Sequence, residues 1–435
     1  MSKRYQCIIF IVVSLISFVF VIPYSSARDR GRSNDSQLEN ALRTLEEGKE
    51  IFRFDTFGDE KFWGDTLRLH ESISQAVDPK TAFAVGLKVD VSALPRRLQR
   101  ALERGEVDLT DPATTLTLIK QDAVLGVKGR FDGNNMTSIG ITCALCHSTV
   151  DDSFAPGIGH RLDGWANRDL NVGAIIALAP NLQPYVNLLG VDEDTVKLVL
   201  NSWGPGKFDA ALGFDGAAFK PDSQIPGAVL IPPAFGLAGV NLHTSTGWGG
   251  VSHWNALVAV LEMHGQGTFI DARLKDSTKF PLAAANNFDN VRPGPGEEDL
   301  VTSKLPALHL YQLALKSPEP PRDSFSEVAA ARGEELFNNK ADCARCHVPP
   351  LFTEPGWNIH TPEEIGIDDF QAKRGPENGY RTAPLKGLWA HTKGGFYHDG
   401  RFMTLQSVID HYDTFFGLLL SEGEKVDLEE YLKSL

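Results

Sequence analysis

A repeated five-residue pattern, Cys-x-x-Cys-His, constrains this chain more than any other feature. Four of the five cysteines belong to the two copies of the pattern, and the fifth, Cys7, lies in an apolar run near the N-terminus. The copies consist of Cys143, Cys146 and His147, and of Cys343, Cys346 and His347. No cysteine beyond the N-terminal run is left for a disulfide. All four therefore belong to a pattern that has its own chemistry.

The pattern supplies what a covalently bound haem needs. Two thiols add across the two vinyl groups of the porphyrin, and the imidazole beside the second thiol ligates the iron. A four-cysteine zinc site is the alternative, but it leaves the adjacent histidines without a role. We therefore predict two haem c groups, with His147 and His347 as the proximal iron ligands.

The first 27 residues predict export. Lys3 and Arg4 precede an apolar run over residues 7–22, and small residues follow at positions 25–27. This order is typical of a cleaved signal peptide. The apolar run is short for a membrane span, although an uncleaved N-terminal anchor is the alternative. The prediction is a periplasmic or otherwise exported protein.

The rest of the chain contains a weak internal repeat. Residues 45–52, LEEGKEIF, resemble residues 331–337, ARGEELF, and each predicts an amphipathic helix that ends at an aromatic residue. The haem motif follows six residues after Phe337, but about ninety residues after Phe52. We therefore predict that residues 53–138 are a helical insertion in the first haem domain.

A proline-rich stretch at residues 316–323 predicts the boundary between two domains, because such stretches form stiff linkers. The N-terminal haem domain is then residues 28–316, and the C-terminal haem domain is residues 317–435. Strand-like alternation of apolar and polar residues is scarce. The predicted fold class is mainly α, with two cytochrome-c-type haem domains in tandem and long loops.

Three segments of the C-terminal region form a specific signature: YRTAPLKG at 380–387, GFYHDGR at 395–401 and TLQSVIDHY at 404–412. Together with the two haem motifs and the export segment, this signature resembles that of the di-haem bacterial cytochrome c peroxidases. The methylamine-utilisation di-haem enzymes and the bacterial rubber oxygenases are relatives that look equally close. The likeness covers about residues 140–265 and 325–435.

The resemblance implies that the first haem meets the oxidant and that a tryptophan lies between the haems. His160, in Gly-Ile-Gly-His, resembles a removable distal ligand of the first haem. Trp248 resembles the tryptophan of the family's Trp-Asp-Gly, and the nearby Trp254 is the other candidate for the tryptophan between the haems. Glu262 resembles the acid–base glutamate of a Glu-Met pair that cleaves peroxide. The alternatives are that His160 is an ordinary loop residue, that Trp248 is part of the core, and that Glu262 lies on the polar face of a helix.

The resemblance also places the distal ligand of the second haem in the segment 404–412. Relatives use Met, Tyr or His there. His411 is favoured because rubber-oxygenase-like members carry a histidine in a His-Tyr pair, and Tyr412 and Met403 are the alternatives. The choice affects the haem potential, which Met raises and a second His or an anionic Tyr lowers.

A calcium site between the domains is a further feature of the family. Its ligands include an Asn before an Ala-Pro-Thr run, and that run is missing from Ile-Pro-Pro-Ala at residues 231–234. The carbonyl groups of Thr382 and Pro384 are available as ligands, but the sequence gives calcium no support.

The family and the composition together define the expected function. The net charge of -14 and the absence of a basic stripe argue against nucleic acid as a partner. The leading hypothesis is reduction of hydrogen peroxide at the first haem, with electrons that enter through the second haem from a cytochrome c or a copper protein. A di-haem oxygenase that binds dioxygen and a non-catalytic electron carrier are the alternatives.

Overall fold

The computed structural model describes residues 36–435, and the predicted signal peptide of residues 1–27 lies outside them. The chain divides into two compact units, residues 1–42 and residues 43–435. Of the first unit, the structure describes residues 36–42, which are helical. Both Cys-x-x-Cys-His motifs lie in the second unit. Among the described residues, no helix combines the length and the apolar character that a membrane crossing requires.

The prediction of a mainly α fold is confirmed, because about 44% of the structure is helical and there is little sheet. In chain order, the α-helices of the described residues are α1 Ser36–Phe54, α2 Leu69–Ala76, α3 Pro79–Ala84, α4 Arg96–Glu103, α5 Pro112–Lys120, α6 Ala144–His147, α7 Val172–Ile176, α8 Gln183–Leu189, α9 Glu193–Ser202, α10 Leu212–Asp215, α11 Val251–Leu257, α12 Pro281–Ala285, α13 Leu305–Ala314, α14 Glu327–Asn338, α15 Pro362–Ile365, α16 Phe370–Arg374, α17 Leu405–Phe416 and α18 Glu422–Ser434. Two segments are π-helical turns, Lys61–Thr66 and Val258–Glu262. The 3-10 turns are Val91–Ala93, Ala272–Lys275, Thr302–Lys304, Cys343–Arg345 and Leu388–Ala390.

The strands are short and form five two-stranded sheets within the described residues. They are β1 Val89–Asp90, β2 Val127–Asp132, β3 Asn135–Ile141, β4 Ser148–Val150, β5 Ile158–Gly159, β6 Arg161–Asp163, β7 Lys207–Phe208, β8 Val229–Leu230, β9 Phe269–Ile270 and β10 Asn290–Val291. β1 pairs with β5 in parallel, and the pairs β2–β3, β4–β6, β7–β8 and β9–β10 are antiparallel.

The helices of the C-terminal region begin at residues that cap them. Ser326 accepts a hydrogen bond from a backbone amide in the first turn of α14. α17 and α18 each begin with a capping box, formed by Thr404 and Ser407 and by Ser421 and Glu424. Each cap satisfies backbone amides that have no partner inside the helix. Residues 315–326, which contain the predicted boundary, form neither helix nor strand.

The sequence repeat corresponds to two matched helix contacts. α1 packs against α13 so closely that a Cβ atom at Gly48 would lie 2.0 Å from the carbonyl oxygen of Ala307. α14 packs against α18 in the same way, and a Cβ atom at Gly333 would lie 2.0 Å from the carbonyl oxygen of Asp427. Only glycine allows two helix backbones to approach this closely.

The aromatic residues that end the two repeats also make matched contacts. The Phe52 ring packs against Tyr311 of α13, with ring centroids 5.5 Å apart. The Phe337 ring packs against Tyr431 of α18, with centroids 5.2 Å apart. Phe52 and Phe337 are almost completely buried. Each helix pair thus has a glycine at the point of contact and an aromatic pair one turn further along.

The segment 53–138 is only partly helical, so the prediction of a helical insertion was wrong in this detail. It contains α2 to α5, but it runs into the hairpin of β2 and β3, which are the longest strands described. The turn between them contains Gly133, whose positive φ of 59° suits glycine. The sequence analysis did not identify these strands, although apolar or small residues alternate with charged ones over residues 127–132.

The contact at Gly333 generates a stability prediction. We expect Gly333→Ala to lower the free energy of unfolding by roughly 1–3 kcal/mol, because the added methyl group meets the backbone of α18. Gly423→Ala is the matched control, since Gly423 is a helical glycine with open space around the Cβ position. That change should be neutral or stabilise by up to about 1 kcal/mol. Denaturant unfolding measures both, and equal effects of the two changes would contradict the close contact.

Candidate functional site

The first haem motif forms a single helical turn. Cys143 is the N-cap of α6, and His147 is its last residue. The Nδ1–H group of His147 donates to the carbonyl oxygen of Pro232, at 3.1 Å. This bond orients the ring and leaves Nε2 without a partner from Pro232, an arrangement that is typical of metal-binding histidines. Burial lowers the pKa of His147 to about 4, so that the imidazole is neutral, as ligation requires.

The second haem motif has the same arrangement on a 3-10 turn. The Nδ1–H group of His347 donates to the carbonyl oxygen of Phe352, at 3.2 Å. Burial lowers the pKa of His347 below its usual range. None of the four motif cysteines takes part in a disulfide within the described residues. Both motifs therefore offer two thiols and a neutral, oriented imidazole.

Two partly buried arginines provide an independent test of whether haem groups fit these sites. Burial alone lowers the pKa of Arg168 and that of Arg381 to about 10, and no carboxylate opposes the shift. The charge of Arg168 acts on His147. Arg381 lies two residues before Ala383, whose backbone bonds to His347. A haem carries two carboxylates, so each motif has beside it a cation that matches the charge of the group.

A third arginine, Arg374, is buried and has two carboxylate partners. Arg374 binds Asp209 at 2.9 Å and Asp215 at 2.7 Å. Burial acts to lower the pKa of Arg374, but the two carboxylates raise it above its ordinary value. Arg168 and Arg381 have no such partners among the described residues. Their surroundings therefore favour an anionic cofactor.

Glu262 lies deep in the protein near the first motif. It is the last residue of the π-helical turn that follows α11, and such turns are frequent at functional sites. Burial, with a contribution from the charge of Asp209, raises the pKa of Glu262 well above its ordinary value. Glu262 acts electrostatically on Cys146 and on Tyr185. Its carboxyl group is therefore harder to ionise than that of an ordinary glutamate, and it lies close to the first Cys-x-x-Cys-His turn.

An aromatic cluster next to Glu262 was missed by the sequence analysis. Phe62, in the other π-helical turn, stacks on His264 with ring centroids 3.5 Å apart. Trp63 donates from Nε1 to the carbonyl oxygen of Met263, at 2.9 Å. Burial lowers the pKa of His264 to about 4. No local pattern marks these residues, because the contact joins positions about 200 residues apart.

Trp248 is buried and held by polar contacts. Its Nε1–H group donates to Asp271 Oδ2 at 3.0 Å, and its ring stacks on Phe280 with centroids 5.4 Å apart. The guanidinium of Arg273 lies 6.0 Å from the indole centroid. Trp254 is close, with centroids 6.1 Å apart. Asp271 thus gives the indole a carboxylate partner that the sequence motif lacks, and the sequence analysis did not identify it.

His160 lies at the exposed end of the strand pair that follows the first motif. Its Nδ1 atom is 3.0 Å from Ser92 Oγ, and its ring is 6.1 Å from that of Phe154. Its backbone amide donates to Asp151 Oδ1 at 2.8 Å. None of these partners belongs to the first motif.

The candidate distal ligands of the second haem differ in their contacts. Tyr412 acts electrostatically with Cys343 and Cys346, whereas His411 bonds through Nε2 to the carbonyl oxygen of Ile365, at 3.3 Å. Met403 is 72% exposed. Tyr412 therefore faces the second motif, whereas the preceding residue, His411, faces α15.

Metal-binding clusters other than the haem motifs are absent from the described residues, where no group of three or more His, Cys, Asp or Glu side chains is suitably arranged. The carbonyl oxygen of Thr382, a candidate calcium ligand, accepts a hydrogen bond from Thr353 Oγ1 at 2.5 Å.

Comparison with known proteins agrees with the site. No family model matches the chain. The chain is 27% identical over 344 residues to the methylamine utilization protein MauG of Methylorubrum extorquens, covering 76% of this chain and 78% of the relative. The predicted resemblance to the di-haem cytochrome c peroxidase family, with its methylamine-utilisation relatives, is confirmed. The relationship indicates a di-haem redox enzyme that uses haem iron.

Two solved structures are similar to parts of the chain at 20% identity. Hydrazine synthase of Kuenenia stuttgartiensis gives a TM-score of 0.26, covering 48% of this chain and 72% of the other. A MauG-like protein associated with microbial copper homeostasis gives a TM-score of 0.24, covering 33% of this chain and 62% of the other. Both scores are too low for a comparison of folds.

Proposed function

We propose that this protein is an exported c-type cytochrome that reduces hydrogen peroxide or a related oxidant. One haem is bound covalently at Cys143 and Cys146, and the other at Cys343 and Cys346. The observation that carries the proposal is the position of Glu262, a carboxyl group with a raised pKa beside the first motif. An electron carrier without a substrate has no need of such an acid.

The two haems lie in tandem domains, residues 28–316 and 317–435, and residues 53–138 are an insertion in the first. The matched helix contacts support this division. α1 and α13 enclose the first motif in the sequence, and α14 and α18 enclose the second. The glycine and aromatic contacts at Gly48 and Gly333 are repeated in both pairs. A duplicated haem domain explains why two distant segments repeat the same packing.

The two carbonyl groups that accept from the proximal histidines support their assignment as ligands. Pro232 orients His147, and Phe352 orients His347. A hydrogen bond to Nδ1 fixes the tautomer and makes the imidazole a stronger donor to iron. Iron porphyrin supplies the chemistry of oxidant binding and electron transfer at each site.

Glu262 is the proposed acid–base residue. The carboxylate form of Glu262 takes the proton from the near oxygen of peroxide, and the resulting carboxyl group delivers it to the departing oxygen. Its apolar surroundings raise its pKa, because an ionised carboxylate is poorly solvated there, and so favour the uptake of this proton. Product formation thus requires no proton from bulk water at the moment of cleavage.

Trp248 is the proposed electron path between the haems. It shares an apolar cluster with Ala144 of the first motif. Three residues before it, the carbonyl oxygen of Ser245 accepts from the amide of Arg381 in the C-terminal signature, at 3.0 Å. Contacts toward both motifs therefore converge on this part of the chain. Electrons enter at the second haem from a small redox protein, such as a cytochrome c or a copper protein.

The distal ligands remain proposals. His160 is the sequence-based candidate for the first haem, but its exposed position supports a first haem with an open coordination site. For the second haem, the sequence favours His411, whereas the electrostatic contact with Cys343 and Cys346 supports Tyr412.

The haem content tests the proposal directly. The protein made with a cytochrome c maturation system should contain two covalent haems by mass and by pyridine haemochrome, because each motif carries two thiols. Replacement of Cys343 and Cys346 by Ala should leave one haem. A protein that contains zinc and no haem would contradict the proposal.

The distal ligand is tested by replacing each candidate in turn. We expect Tyr412→Phe to change the EPR spin state of one ferric haem and leave the other unchanged, because the ligand oxygen is removed while the ring stays. His411→Ala is the matched control on the same helix and should leave both spectra intact. If His411→Ala changes the spin state and Tyr412→Phe does not, then the ligand is the residue that the sequence favours.

The role of Glu262 is tested by removing its acidity without changing its shape. Glu262→Gln should keep both haem spectra and lower peroxide turnover by at least about a hundredfold, since a positioned acid contributes typically 10²–10⁴-fold. Steady-state kinetics with a reduced cytochrome or copper protein as donor measures the effect.

Asp59→Asn is the control for this test. Burial raises the pKa of Asp59 to about 9, and the carboxyl group also lies near the first motif, where it accepts from the amide of Ile141 at 3.2 Å. Its replacement should leave peroxide turnover unchanged. Equal losses in the two variants would indicate a general effect of buried charge rather than catalysis by Glu262.

Dioxygen binding at the first haem is the second candidate function. The observation that favours it is an internal apolar cavity whose lining includes Leu145, between Cys143 and Cys146. A dioxygen adduct of the reduced protein, together with no consumption of peroxide, would favour this function over the first.

A further inference from the structure

An internal cavity of about 60 Å³ lies between the segment 53–138 and the first haem motif. Its lining includes Leu69 of α2, Ala82 of α3, Leu118 of α5, Ile139 of β3 and Leu145 of α6. All five are at most 7% exposed. The cavity is therefore an interior feature that this segment creates.

The surface of this cavity is entirely apolar. Thr115 is the only polar side chain in the lining, and its hydroxyl group is buried and has no hydrogen-bond partner among the described residues. The space is large enough for water, but a buried water needs about two to four polar partners. Water therefore finds few hydrogen-bond partners in this cavity. Engineered apolar cavities of about 150 Å³ stay dry and bind xenon or benzene, so a smaller one suits an atom or a diatomic molecule.

The cavity is directly connected to the haem-attachment turn. Leu145 stands between Cys143 and Cys146, and the amide of Thr142 donates to the carbonyl oxygen of Gly126 at the start of the hairpin, at 3.0 Å. Other lining residues, such as Phe83, are only half-buried, so solvent is about one side chain away. The cavity thus lies between the surface and the turn that carries the first haem.

We propose that this cavity binds dioxygen and lies on its route to the first haem. Dioxygen is small and apolar, and it loses no hydrogen bonds on entering. Hydrogen peroxide has two hydroxyl groups, and burying them without partners is unfavourable. The cavity therefore selects dioxygen over peroxide. The link to the haem rests on the proposed function, whereas gas binding in the cavity does not.

Xenon is the probe for gas binding. Crystals of the haem-loaded protein under xenon pressure should show a xenon atom in the cavity. Ala82→Val should abolish this site, because the added carbons fill the space, and Val89→Ile is a milder second variant. Ala179→Val is the matched control, since Ala179 is equally buried in the same core but does not line the cavity. Absence of xenon from the wild-type cavity would overturn the proposal, whatever the haem spectra show.

Gas delivery is tested by carbon monoxide binding to the reduced protein after flash photolysis. Ala82→Val should slow association and leave the reaction with peroxide unchanged, because peroxide uses another route. Ala179→Val should change neither rate. Unchanged carbon monoxide association in Ala82→Val, or no binding at either haem, would overturn the delivery role. Failure of the proposed peroxidase function would instead appear as lack of peroxide turnover in the wild type, with the xenon site intact.

Discussion

The close approach of helix backbones at Gly48 and Gly333 is the contact on which the rest of the structure depends. With no side chain at these positions, α1 lies directly on α13, and α14 lies directly on α18. Each contact closes a stretch of chain that contains one Cys-x-x-Cys-His motif. Each helix pair fixes the two ends of the stretch of chain that it closes. The chain between the paired helices can therefore contain long loops, many short helices and an inserted hairpin.

Charge inside this protein is distributed in two different ways. Arg374 forms ion pairs with Asp209 and Asp215, so its charge is balanced by residues of the chain itself. Arg168 and Arg381 have no carboxylate partner in the part of the chain that the structure describes. The charge of Arg168 acts on His147, and Arg381 lies two residues before Ala383, whose backbone bonds to His347. Uncompensated buried charge is costly unless a partner is supplied. Their positions therefore link the stability of the folded chain to the presence of an anionic cofactor.

The sequence predicted the features that local patterns encode, and it missed those made by distant contacts. The Cys-x-x-Cys-His motifs, the repeat at Phe52 and Phe337 and the helical class follow from spacing and periodicity, and Glu262 was found through its resemblance to a Glu-Met pair. Asp271 and His264 carry no pattern, since their roles arise only where chain segments meet. The hairpin was missed although residues 127–132 alternate in the way that is typical of a strand.

The packing of Leu145 has a consequence for how the protein matures. The turn that carries Cys143 and Cys146 also lines the cavity through Leu145, and the amide of Thr142 beside it donates to the carbonyl oxygen of Gly126, just before the hairpin. Formation of two thioether bonds would hold this turn in one geometry and, through it, the hairpin and the helices beside it. Maturation would then act as a covalent clamp on residues 53–138, a region that supplies no thiol to either haem.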